Sequence, residues 1–305
     1  MSANPKANGW LVIDKPQGLT STRVVEHVRR ATGVKAGHAG TLDPLATGVL
    51  PIALGEATKT IAYAVNGPKR YRFRIRWGVA RSTEDSEGEI VAESRERPNR
   101  QDIEEILPNF VGTIAQKPPA YSAIKVAGLR SYALARAGLR PCLMARPVKI
   151  FDLRLLAMPT SELADFEATV GKGTYVRALA RDIAEAVGTF GHIAALRRLS
   201  VGQFTEEHAV SLESVLREQH IALDFDGSLL PVEAALTKIP ALVLARGEAA
   251  RLRCGQRVAL DGCTKLRGAN LPVSGTVVAA WDDQALVALA RVEDGNLRPL
   301  RVLNL

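Results

Sequence analysis

The segment KRYRFRIRWG, residues 69–78, alternates strictly: Tyr71, Phe73, Ile75 and Trp77 interleave with Arg70, Arg72, Arg74 and Arg76. Strand side chains point to opposite faces with period two, so the segment reads as a strand with one apolar and one cationic face. The chain is thereby committed to a sheet that covers one face with a core. An antiparallel neighbour carrying acids would satisfy the other face, and Glu84, Asp85, Glu87 and Glu89 on the following segment are the nearest supply. A nucleic-acid-binding face is the competing reading of the arginines, and both can hold for different members of the row.

Strands and helices succeed one another around this segment. WLVID, residues 10–14, is a short buried strand; Thr20 or Ser21 can cap a helix in which Val24, Val25, Val28 and Ala31 share a face before Gly33 stops it. VLPIAL reads as a strand, ATKTIAYAV as a helix, residues 101–107 as a helix and FEATV as a strand. Between 118 and 149, Pro118 and Pro119 impose an extended run, LRSYALARAG resumes helical spacing, and Arg130, Arg136, Arg140, Arg146 and Lys149 concentrate positive charge. This stretch is either a basic arm over phosphates or a solvated surface helix. In GKGTYVRALARDIAEAVG a glycine turn precedes a helix with Val176, Leu179, Ala180, Ile183, Ala184 and Val187 on one face. Tyr175 and Arg177 fall at its N-terminus, where the helix dipole suits anions.

Beyond a helix near residue 212 and the linker LLPVEAALTKIP, the texture changes to the short strands RVAL, GTVVAAW, ALVALARV and RPLRVLNL, with turns at DDQ and EDGN. That is the pattern of a small β-barrel. A chain of 305 residues suits one large and one small domain, here 1–236 and 237–305. The net charge of +8 favours a polyanionic partner, with solubility as the plainer account. Residues 237–305 hold ten Lys and Arg against six Asp and Glu, which makes them a candidate RNA-binding appendage.

Other classes are excluded. Cys142, Cys254 and Cys263 lack CxxC spacing, and His27, His38, His192, His208 and His220 are scattered, so neither a disulfide framework nor a metal site is expected. Phe166 stands where a phosphate loop needs glycine, and no Ser or Thr directly follows the GK of GKGT. MSANPKANGWLVIDKPQG lacks the apolar run of a secretory leader, and no stretch approaches the roughly 18 apolar residues of a membrane helix. No membrane association and a cytoplasmic location are expected.

Asp43 is the lone acid in AGHAGTLDPLATGVLPIALG, residues 36–55, hemmed by Gly37, Gly40 and Gly48 and followed by Pro44. Alone, Asp-Pro is a turn initiator. Its company changes that reading. KPQGLTS at 15–21, GHAGTLDPLATGVLP at 37–51, KRY at 69–71, PPAYSAIKVAGLRSYALARAG at 118–138, GTYVRALARD at 173–182 and HIAALRRLSVGQF at 192–204 together resemble the bacterial TruB type of tRNA pseudouridine synthase. The similarity runs in order from about residue 9 to 204, and the C-terminal segment is similar to that family's small PUA-type domain.

The resemblance implies an α+β fold: a catalytic domain on a mixed, mostly antiparallel sheet with flanking helices, plus a PUA-like β-barrel. It implies isomerisation of uridine 55 in the tRNA T loop to pseudouridine, without cofactor or metal. It also implies a monomer that binds the T arm unaided, since the chain lacks the Lys-rich tail of eukaryotic guide-RNA-dependent relatives. Asp43 matches the catalytic Asp, by attack on C1′ or removal of the 2′ proton, and Arg177 matches its counter-ion. Tyr71 matches the ring that stacks on the flipped base and is the nominee for the C5 base; Tyr175, Leu196 and His38 match contacts to the base and the RNA near it. By themselves, Tyr71 and Leu196 would be core, Leu196 at helical spacing, and His38 a loop histidine. Lys15 and Pro16 match a supporting segment. Asp85 matches the acid of a TxTxDxxG pattern in which Arg81 here replaces the first Thr, leaving its role in question. The glycines around Asp43 are expected to let the backbone pass close to RNA. A non-catalytic RNA-binding descendant would show a damaged site, whereas Asp43, Tyr71, Tyr175 and Arg177 are all present.

Overall fold

A computed structural model describes residues 7–139, 141–217, 227–260, 265–267 and 273–305. Arg140, His220 and Cys263 lie outside the described residues. The main sheet is built on β1 (Gly9–Lys15), β2 (Thr47–Leu54), β3 (Lys69–Trp77), β4 (Gly112–Gln116), β5 (Arg146–Thr160), β6 (Leu163–Val170), β7 (Gly191–Val201) and β8 (Ala209–Ser211). Their spatial order is β8-β1-β2-β7-β3-β6-β5-β4. On this path only β1–β8 and β2–β7 run parallel, so the sheet is mixed and mostly antiparallel.

Period two sorts the core into two layers. Leu11 and Ile13 of β1, Leu50 and Ile52 of β2, and Phe73, Ile75 and Trp77 of β3 share one core. Helices α1 (Ser21–Thr32), α2 (Arg100–Ile106) and α3 (Val176–Ala186) cover it through Val24, Val28, Ile103, Leu179 and Ile183. Trp10, Val12, Val49 and Ala53 point the other way, into a second core with Phe204, Val232, Leu286, Leu289 and Leu303. Burial on both faces is why β1 and β2 read as continuous apolar runs. Helix α1 begins where the Thr20 hydroxyl accepts the Arg23 N–H and ends at Gly33 in the left-handed region. ATKTIAYAV is less helical than its spacing predicts: a 3-10 turn over Gly55–Thr60 precedes a helix of only Ile61–Val65.

The arginine row of β3 faces away from the helices, and its acids are not those expected. Antiparallel β6 brings Glu167 opposite Arg72 and Asp165 opposite Arg74. Arg70, Arg72 and Arg154 converge on Glu167, Arg74 forks onto Asp165, and Arg76 reaches Glu162. The 84–89 acids instead lie beside α3, where Glu84 pairs with Arg181 and Asp85 lies near Arg177. Strand register, fixed by residues some ninety positions away, decides the pairing.

In the C-terminal part, six short strands follow the order Val258–Ala259, Asn296–Val302, Leu286–Glu293, Val277–Trp281, Ala241–Val243, Lys265–Arg267, a curled PUA-like half-barrel. The EDGN turn forms with Asp294 and Gly295 both at positive φ, the type I′ geometry a tight hairpin favours. A helix, Arg246–Arg253, was not foreseen, because it buries only Ala249 and Leu252 and shows almost no apolar stripe. Nor is this unit a loose appendage: its Leu286, Leu289 and Leu303 complete the core behind β1 and β2.

Candidate active site

The Asp43 loop leaves no carbonyl from Gly40 to Pro44 without a donor. Gly40 and Thr41 accept from Arg198, Leu42 from the Ser21 hydroxyl, Asp43 from the Ala46 N–H, and Pro44 from the Gly18 N–H and Lys15 Nζ. The Asp43–Ala46 bond is the turn that Asp-Pro predicts, so turn and site coincide at this residue. Gly48 holds φ +98°, and a Cβ there would sit 2.2 Å from the Arg198 carbonyl oxygen. A Cβ at Gly37 would meet Ile61, and one at Gly40 would meet the Arg198 guanidinium. Gly48 and Gly37 serve close packing within the protein, and Gly40 is called for by its φ of +101°.

This scaffold leaves the Asp43 side chain 37% exposed and aims it at Arg177, which is 5% exposed. Arg177 sits in the first turn of α3 and forks onto the carboxylate, Nε to Oδ2 at 2.9 Å and Nη2 to Oδ1 at 3.2 Å. Nη1 donates to the Thr83 carbonyl and Nη2 also to that of Tyr121, each at 2.8 Å. Asp85 Oδ2 lies 3.7 Å from Nε. Burial pulls the guanidinium down, but Asp43 and Asp85 hold it above its ordinary value, so it stays charged. One cation therefore ties together the Asp43 loop, the 83–88 loop and the root of the 118–149 arm, whose Pro118 and Pro119 are buried. Such bidentate pairing fixes the plane of a carboxylate.

The departure at Arg81 does not disturb Asp85. Arg81 donates to the Gly88 carbonyl and closes the loop itself, while the Thr83 hydroxyl and the Glu87 N–H donate to the Asp85 carboxylate.

Tyr71 is half-buried on the core side of β3, between Ala168 of β6 and Arg198 of β7 in register. Tyr175 is the N-cap of α3. Its ring lies 5.3 Å from the Arg146 guanidinium, and its backbone is clasped by Gln116, which accepts the Tyr175 N–H and donates to its carbonyl. Leu196 is buried opposite Phe73, in a strand and not at helical spacing. Register shifts at Ile193/Ala195 and Arg198/Ser200 break the alternation of β7 and leave its apolar residues three apart. His38 ends the Ala36–His38 strand that pairs with β2. Burial, reinforced by Arg198, lowers its pKa, which keeps the imidazole neutral at pH 7.

Lys15 is fully buried, and its ammonium donates to the carbonyls of Pro16, Leu19 and Pro44. It binds the KPQG segment to the Asp43 loop and is not directed at a substrate. Burial lowers it to about 8, against the raising pull of Asp43 and Glu87. Between about 8 and 10.5 the unfolded chain holds this proton and the native one does not, so the Lys15 contribution to stability rises with pH there. Catalysis is expected to move oppositely, because a neutral amine turns a lone pair toward one of its three carbonyls and loosens the loop. A pH–rate profile should fall above about 8, and Lys15→Met should be slower at pH 7 and lack that limb.

Gln116, Ser21 and Arg198 are the residues that sequence reasoning missed. All three are buried and act on backbone groups of the site. Side chain to backbone bonds across distant segments leave no periodic trace.

The chain is similar to known proteins along nearly its whole length. Residues 27–176 match the TruB family pseudouridylate synthase N-terminal domain, and residues 177–237 match the tRNA pseudouridylate synthase B C-terminal domain. Proteins named tRNA pseudouridine synthase B are similar over almost the whole chain. That of Rhodospirillum rubrum is 50% identical over 98% of this chain and 97% of its own, and that of Caulobacter vibrioides 47% identical over 98% and 96%. Among solved structures, the archaeal box H/ACA sRNP Nop10–Cbf5 complex contains a chain that superposes with a TM-score of 0.73 at 25% identity, covering 97% of this chain and 86% of that one. From matched domains, full-length relatives and shared fold together, the chain belongs to the TruB family of pseudouridylate synthases.

Proposed function

We propose that the protein converts uridine 55 in the T loop of tRNA to pseudouridine, without cofactor, metal or guide RNA. The observation that carries the reading is the bidentate Arg177–Asp43 pair, one half-exposed carboxylate held in a fixed plane by a buried cation. The reaction breaks the N1–C1′ bond, turns the uracil, joins C5 to C1′ and removes the C5 proton. Asp43 acts as the ionised carboxylate, at C1′ or on the 2′ proton, and Arg177 keeps it charged and oriented. Tyr71 stacks on the extruded base and takes the C5 proton; Tyr175, Leu196 and His38 complete the contacts to base and RNA. Lys15, Pro16 and Asp85 support the loops.

Residues 1–236 form the catalytic unit and 237–305 an RNA-binding unit. The protein works as a cytoplasmic monomer. Support for tRNA and against a guide comes from relatives about half identical along nearly their whole length and named for tRNA. The test is tritium release from tRNA labelled at uracil C5. One equivalent per tRNA is expected, with the new pseudouridine mapped to position 55; no release from a folded preparation, or release from another site, overturns the reading.

A further inference from the structure

One large buried cation has no place in the chemistry above. Arg198 is 1% exposed and makes no ion pair among the described residues. Burying a charge without a counter-charge is costly even after relaxation. A methionine or leucine would fill the same space without that penalty, so packing does not account for the guanidinium.

What its rigid fork does is join the two ends of the Asp43 loop. Nη2 donates to the Gly40 carbonyl at 3.0 Å and Nη1 to that of Thr41 at 3.4 Å, before Asp43; Nε donates to that of Val49 at 2.8 Å, after it. The contact is close because the facing residue is Gly48, where any Cβ would overlap the Arg198 backbone. A smaller clamp acts one residue from the carboxylate, where the Ser21 hydroxyl donates to the Leu42 carbonyl at 3.1 Å and accepts its N–H at 2.8 Å.

We propose that Arg198, assisted by Ser21, is a positioning residue for Asp43: its planar fork sets the span of the 40–49 loop and so the carboxylate's place relative to the substrate. A lysine supplies a point charge on a flexible stem and cannot bridge three carbonyls in one plane. Because Arg198 also lies beside Tyr71 in the β3–β7 register, the same side chain sets the loop against the strand that carries the ring. The inference rests on the proposed reaction for its catalytic consequence but not for its structural one.

The test uses the full-length chain with Arg198→Met, Arg198→Lys and Ser21→Ala, and three readouts. These are single-turnover rate at saturating enzyme, tRNA dissociation constant, and amide exchange in residues 39–48. For Arg198→Met we expect a rate roughly 10²-fold lower, the loss typical of a displacement near 1 Å. Affinity should be unchanged and exchange in 39–48 faster. Arg198→Lys should recover only part of the rate, and Ser21→Ala should lose about tenfold. A folded Arg198→Met protein with the wild-type rate, or one that loses affinity alone, overturns the proposal. If that variant fails to fold, wild-type rates in both Arg198→Lys and Ser21→Ala overturn it instead. A wild-type protein inactive on tRNA, with exchange still accelerated in the variants, would sink the proposed function and leave the loop clamp standing.

Discussion

Asp43→Asn is expected to lose isomerisation by at least about 10⁴-fold, the scale seen when a residue that bonds to the reacting centre is removed. Asparagine keeps the shape and one acceptor for Arg177, so the loop should hold: its carbonyls are bound by Arg198, Ser21, Gly18 and Lys15, none of which hydrogen-bonds the Asp43 side chain. Arg177 would keep the Thr83 and Tyr121 carbonyls and Asp85 at 3.7 Å, so an uncompensated buried charge is avoided. What disappears is the anion. Neither attack at C1′ nor removal of the 2′ proton is open to a neutral amide, so both chemical routes predict the same silence. Tritium release from C5-labelled tRNA, with a thermal melt to show that the variant is folded, checks this. Undiminished release would remove Asp43 from the chemistry.

The parts of the site that sequence revealed are those with a local signature. Thr20, Gly33 and the alternation of β3 each encode their own geometry within a few residues, and each formed as read. The glycine-rich surroundings of Asp43 were legible as unusual, but the packing that Gly48 serves was not. Gly48 is needed because β7 approaches β2 there, a fact written 150 residues further along the chain. The acids that answer the arginines of β3 were misassigned for the same reason: proximity in sequence favoured 84–89, while register selected 162–167. In β7, two irregularities turned a strand into an apolar pattern with spacing three, and a pattern is all that a single sequence offers.

Deleting residues 237–305 is expected to cost the protein its fold. The cationic surplus of this segment describes its surface, whereas its core contacts describe its dependence. Leu286, Leu289 and Leu303 lie in the same apolar cluster as Trp10, Val12, Val49 and Ala53, the reverse faces of β1 and β2. Lys59 donates to the Val302 carbonyl, and the Asn304 N–H donates to Glu56, fastening the last strand to the turn after β2. Removing the segment takes three buried leucines out of this shared cluster, each worth about 1.5–3 kcal/mol. The sum rivals the roughly 5–15 kcal/mol by which a whole domain is stable. A 1–236 chain should therefore be insoluble or melt well below the intact protein in circular dichroism. A soluble fragment that melts within a few degrees of the full chain, turns over tRNA in single-turnover conditions and only binds it weakly would mean that the shared core contributes little. In that case the C-terminal unit would be an independent RNA-binding module. The prediction matters for Asp43 as well, because β2 carries Val49 into this shared core one residue after Gly48, and Val49 also accepts from Arg198. Through that strand, loss of the C-terminal unit reaches the loop on which the proposed chemistry depends.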